Sequence, residues 1–256
     1  MDETRAATAA TFRPGRRRPP WLVPGGLMLI FALLTVNVLA NGPLVRVDER
    51  ISRAVRARVH SARWFWVGGH RHAPAELLVH FGDNQVALPL LAVAALIVAI
   101  RYRSLRPLLA AVIGVALLGT VILLKILIAR AGPGLPPVAP GAMGVFPSGH
   151  SATSSVCLGL AALLLARNLP GWVRWPALTG MAALCFLVGV ALIWLDYHWF
   201  TDVVAGWALA ALIIMAALRV AGLSGNSSGL ADTVRGGAAT VSTDTSREQA
   251  DDSART

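Results

Sequence analysis

The chain has 256 residues, 55% hydrophobic and only 14% charged, with a mean hydropathy of +0.62. That composition excludes an ordinary water-soluble domain and fits a polytopic membrane protein. A formal charge of +10 would suggest nucleic acid in a soluble protein; here the arginines lie between apolar runs, so anionic lipids are the expected partners and nucleic acid is not.

Residues 1–20 are polar, with Arg13, Arg16, Arg17 and Arg18 among three prolines, and are expected to form a disordered basic arm. The apolar run that follows, 22–40, is long enough to span a bilayer and lacks a clear small-residue cleavage site, so it is not expected to be a removed signal peptide. Residues 44–59 carry Val47, Ile51, Val55 and Val59 four apart among arginines. That spacing predicts an amphipathic helix lying in the membrane interface and packing by Val47, Ile51 and Val55. The loop Gly69-His70-Arg71-His72 is expected to be solvated.

Five more runs free of Asp, Glu, Lys and Arg follow: 84–100, 107–124, 149–166, 175–195 and 203–218. The shorter ones reach spanning length with neutral flanks. The expected fold is all-α, a six-transmembrane-helix bundle over 21–222. After Leu223 the chain turns to Gly, Ser, Thr and Asp, and 223–256 is expected to be a disordered tail. Cys157 and Cys185 fall inside apolar runs and form no disulfide framework. The basic arm, Arg101–Arg106, Arg167, Arg174 and Arg219 share one side in this arrangement. The positive-inside rule makes that side, with both termini, cytoplasmic. The arginines of the 41–83 loop run against this assignment.

Three polar clusters interrupt the apolar pattern, all at the opposite, extracytoplasmic face: Lys125–Pro133 (KILIARAGP), Phe146–His150 (FPSGH) and Tyr197–Asp202 (YHWFTD). Ionisable residues at membrane helix ends are costly and point to function. Ser148 is positioned to cap a helix, and Gly149 allows a close backbone approach to an anion held by the free N–H groups. His150 follows, placed to donate a proton. His198 and Asp202 are four apart, so a helical turn puts them on one face, where the carboxylate fixes the imidazole tautomer and raises its basicity. A neutral imidazole so held is a nucleophile or a base. Lys125, the only lysine in the chain, and Arg130 supply positive charge for phosphate oxygens. Taken singly, these features read as a helix cap, a helix-start pair and a snorkelling lysine; their convergence on one face is the argument for a site.

The three clusters resemble the type 2 phosphatidic acid phosphatase superfamily, the membrane lipid phosphate phosphatases related in fold to vanadium haloperoxidases. The family pattern is a lysine with Arg-Pro beginning seven residues on, then Pro-Ser-Gly-His, then Ser-Arg, five residues, His, three residues, Asp. The resemblance covers roughly 80–220. It implies that His198 is a nucleophile forming a phosphohistidine, that Asp202 orients it and that His150 protonates the leaving group. It further implies that Lys125, Ser148 and the Gly149 amide bind phosphate, with no metal or cofactor, and that the substrate is a membrane lipid phosphate or diphosphate. Both family arginines are missing: Gly132 stands at the first position, and Ala191-Leu192 replace Ser-Arg. Arg130 is the expected stand-in for the first arginine. Asp196 is an extra carboxylate that either pairs with Arg130 or ends the fifth span. A non-catalytic member binding an anionic lipid or a partner helix, and a lipid-phosphate phosphotransferase, remain as alternatives.

Overall fold

The computed structural model describes residues 19, 21–61, 73–167 and 169–223. The basic arm and nearly all of the C-terminal tail expected from the sequence lie outside the described residues, as does the loop 69–72. The described residues form helices and no strand: α1 (Leu22–Leu39), α2 (Pro43–Ser61), α3 (Ala73–His80), α4 (Asn84–Tyr102), α5 (Arg106–Ile128), α6 (Gly149–Ala166), α7 (Gly171–Trp194) and α8 (Phe200–Val220). Six of them, α1 and α4 to α8, are long and apolar enough to cross a membrane. They coincide with the six apolar runs, because spanning is set by local hydropathy and length. Their exposed faces carry large apolar side chains such as Leu29, Val93, Val112 and Phe186, as lipid-facing surfaces do. The chain is an integral membrane protein.

Helix α6 is the centre of the bundle, packed against α4, α5, α7 and α8. Its first turns read Gly-His-Ser-Ala-Thr-Ser-Ser, and small side chains let neighbouring backbones approach closely. A methyl group on Gly206 of α8 would come within 2.9 Å of the Ser148 carbonyl oxygen. The ends of the spans are set locally. Arg103, Ala129 and Asp196 take left-handed backbone conformations that stop α4, α5 and the turn after α7.

Helix α2 forms where the amphipathic pattern placed it, but the expectation for its packing is corrected. Its buried side chains are Asp48 and Ser52; Val47 is exposed, and Ile51 and Val55 are only half-buried. It packs on α1, α7 and α8. A polar stripe turns inward because partners for its carboxylate and hydroxyl await on α8 and on the turn before it, as described next.

Candidate active site

The three polar clusters meet at one end of the bundle, joined by direct contacts. The Ser148 amide donates to the Asp202 carbonyl oxygen at 3.0 Å, tying the start of α6 to the first turn of α8. Lys125, one turn before the end of α5, lies with its Cε against Gly149 and donates from Nζ to the carbonyl oxygens of Gly144 (3.1 Å) and Val145 (3.4 Å). The Gly144 amide donates back to the Lys125 carbonyl oxygen, and the Val145 amide to that of Arg130. This strand-like pairing leaves no room at Gly144, where a Cβ would collide with backbone atoms of Ala129 and Arg130.

Ser148 is the N-cap of α6, its Oγ accepting from the Ser151 amide at 3.3 Å, and it is fully buried. His150, in the first turn, is half-exposed and its Nε2 lies 3.0 Å from Asp83 Oδ1. Asp83, just before α4, also meets His80 Nδ1 at 2.7 Å. Sequence reasoning did not single out Asp83, since nothing local marks it: its partner lies 67 residues away. The hydrogen bond with His80 holds the Asp83 carboxyl below the usual carboxylate range; burial opposes it, and the hydrogen bond and charge of His150 add to the lowering. Gly82 makes the approach possible, because a Cβ there would sit 2.8 Å from that of His150.

His198 is buried in the turn between α7 and α8, and its Nδ1 is 3.4 Å from Asp202 Oδ2. Burial pushes its imidazole below the ordinary range, Asp202 pulls it back up, and the charges of Lys125 and His150 add to the lowering. Asp202 is fully buried; its Oδ2 also accepts from the Trp199 amide at 3.2 Å, and its Oδ1 pairs with Arg130 Nη1 at 2.5 Å. The arrangement thus holds two histidines, each paired with a carboxylate, beside one ammonium group and a helix N-terminus. Among the described residues no group of three or more His, Cys, Asp and Glu side chains comes together to hold a metal ion.

The family model described as the PAP2 superfamily matches residues 104–225. This segment belongs to the PAP2 superfamily. Among solved structures, the chain is similar to the crystal structure of a transmembrane PAP2-type phosphatidylglycerolphosphate phosphatase from Bacillus subtilis. The TM-score is 0.66 and the identity 22%, over 80% of this chain and 98% of that one. At that identity the likeness speaks for the fold, an all-helical transmembrane PAP2 bundle. No curated protein sequence matches significantly.

Within the PAP2 segment the two missing arginines have left no gap for a cation to fill. Leu192, at the second position, is fully buried in a cluster with Val79, Val188, Ala191 and Val203. Gly132, at the first, is buried against Leu135 and Val145. Arg130 does not take the place expected of it. Its Nη1 donates to Asp202 and to Thr201 Oγ1 (2.8 Å), its Nη2 donates to Asp48 Oδ2 (2.7 Å), and its guanidinium lies over the Trp199 ring. Its side chain is only 10% exposed, and two buried carboxylates claim its charge and its fork, so it is not a free phosphate ligand. Asp196 ends the fifth span in a left-handed turn, but it does not pair with Arg130: it accepts from Ser52 Oγ at 2.7 Å and pairs with Arg56 Nε at 2.9 Å, both on α2.

Proposed function

We propose that the chain is a membrane phosphatase that hydrolyses a lipid phosphate or diphosphate through a phosphohistidine on His198. The observation that carries this reading is the buried His198–Asp202 pair with Lys125 and His150 close enough to influence its charge. Asp202 binds Nδ1, which leaves Nε2 as the attacking nitrogen. Lowered basicity keeps His198 neutral, and so nucleophilic, near neutral pH. Lys125 Nζ and the free amides at the start of α6, Gly149 first, hold the phosphoryl oxygens and favour the charge that spreads over them in transfer. Nε2 attacks phosphorus as the bond to the lipid oxygen breaks, and His150 gives that oxygen a proton. A water then attacks the phosphohistidine with His150 taking its proton, which releases phosphate and restores both histidines.

The lipid setting follows from a site at the end of six apolar spans, and the Bacillus subtilis neighbour, itself described as a transmembrane PAP2-type phosphatidylglycerolphosphate phosphatase, supports it. The arginines at Arg101, Arg103, Arg106, Arg167 and Arg219, at the other end of the bundle, support cytoplasmic termini and an extracytoplasmic site. Phosphate release by purified protein from phosphatidic acid, phosphatidylglycerolphosphate and isoprenoid diphosphate tests the reading. His198→Ala is expected to abolish release and acid-labile labelling of the protein by radioactive substrate. A second reading, binding of an anionic lipid without catalysis, is favoured by Leu192 and by the engagement of Arg130. It requires wild-type protein that binds such lipids and releases no phosphate from any of them.

A further inference from the structure

Helix α2 lies before the PAP2 segment, yet it delivers a carboxylate into the site. Asp48 Oδ1 accepts from the Thr201 amide at 3.0 Å, in the first turn of α8, and Oδ2 accepts from the Thr201 hydroxyl at 2.5 Å and from Arg130 Nη2 at 2.7 Å. Asp48 is 1% exposed. It therefore occupies the N-terminus of α8, where the helix dipole favours an anion, and leaves the N-terminus of α6 as the one facing Lys125. The guanidinium between Asp48 and Asp202 joins the two carboxylates in a line: Asp48, Arg130, Asp202, His198. A second latch sits on the same face of α2, where Ser52 and Arg56 hold Asp196, two residues before His198.

We propose that Asp48 and Arg130 are a positioning pair for the nucleophile: α2 holds Arg130, and Arg130 holds Asp202 with one oxygen turned to His198. Neither touches the reacting phosphate. The proposal rests on the phosphatase reading for its kinetic consequences, but its electrostatics stand apart from turnover. The charged groups nearest the line are two carboxylates and one guanidinium, a net charge of minus one that favours a positive imidazole at His198. The other titratable groups acting on His198 are Lys125 from α5 and His150 from α6, with Asp83 behind His150 and Asp196 engaged by α2. Asp48→Asn keeps the Oδ1 acceptor for the Thr201 amide but removes one negative charge. The remaining pair is then neutral, Arg130 bears wholly on Asp202, and the imidazolium form of His198 loses support. Removing both charges in Asp48→Asn/Arg130→Gln leaves Asp202 alone and returns the net charge to minus one.

The experiment uses full-length protein in detergent, with His198 titrated by nitrogen-15 NMR of labelled histidines and kcat/KM for phosphate release followed across pH. Asp48→Asn is expected to move the His198 titration, and the acid limb of kcat/KM with it, down by about one pH unit. It should lower kcat by about ten- to a hundredfold, by analogy with loss of a group that orients a metal-binding histidine, with KM within about twofold. The double variant should bring the titration back towards wild type. A merely structural role would lower the folded fraction and leave the titration of the folded protein unmoved in both variants, and that result overturns the proposal. If Asp48→Asn does not fold, Arg130→Gln decides: it leaves two carboxylates with no guanidinium between them, a net charge of minus two, so the His198 titration should rise, and an unmoved titration refutes the pair. Wild-type protein with a titrating His198 and no phosphate release from any lipid would overturn the phosphatase reading, while the NMR shifts would still decide the role of Asp48.

Discussion

Two aspartate–histidine pairs of the same chemistry sit in different surroundings, and that difference sets what each is worth. Asp83 meets His150 at 3.0 Å, with side chains 36% and 38% exposed. Asp202 meets His198 with side chains 0% and 8% exposed, and adds contacts to Arg130 and the Trp199 amide. A hydrogen bond to a charged group contributes roughly 1.5–3 kcal/mol, but solvent screening reduces an exposed pair to about 1 kcal/mol. Asp83→Asn should therefore lower kcat by about fivefold, since about 1.4 kcal/mol is tenfold in rate. Asp202→Asn removes the acceptor that selects the Nδ1 tautomer of a buried nucleophile and leaves the buried Arg130 with one carboxylate instead of two. Its loss should be on the order of 10³-fold or more, by analogy with breaking the aspartate of a catalytic triad. Initial rates of phosphate release from a short-chain lipid phosphate in detergent, with the folded fraction measured by gel filtration, give both numbers. Equal losses in the two variants, or a greater loss for Asp83→Asn, would refute the argument from burial.

Gly144→Ala places a methyl group into the backbone of Ala129 and Arg130, which cannot swing aside as a side chain can. Destabilisation of about 1–3 kcal/mol is expected from overpacking, read as a lower Tm, together with weaker substrate binding because Lys125 hangs from the same turn. Lys125→Met should cost at least a hundredfold in kcat/KM; Lys125→Arg should recover only part of it, since a planar fork cannot replace the ammonium that donates to Gly144 and Val145. Full activity in Lys125→Met would count decisively against its role. Because burial lowers the His198 pKa in the fold, the unfolded chain binds the extra proton first as pH falls below the ordinary histidine value of about 6.5. Stability should therefore decline from that pH down to the folded pKa, and His198→Gln should remove that part of the slope in Tm against pH. An unchanged slope would mean that His198 is not the group responsible.

The six spans and the three polar clusters were legible in the sequence, because both are local properties. Hydropathy over about 20 residues sets a spanning helix, and Pro-Ser-Gly-His or His-x-x-x-Asp declares itself within five positions. Even the capping role of Ser148 follows from its place before a helix. What the sequence left open was the pairing of charges. Arg130 reads as a spare cation near a phosphate site, and only the tertiary structure shows that Asp48, 82 residues earlier, and Asp202, 72 residues later, both claim it. Helix α2 reads as an interfacial helix with a valine stripe, since periodicity reports where apolar residues lie and says nothing of a carboxylate with a partner elsewhere. Asp83 reads as part of a turn until the fold brings it to His150. A buried charge is stable only with its counter-charge in place, and which counter-charge arrives is decided by how the helices pack, between residues that no local pattern connects.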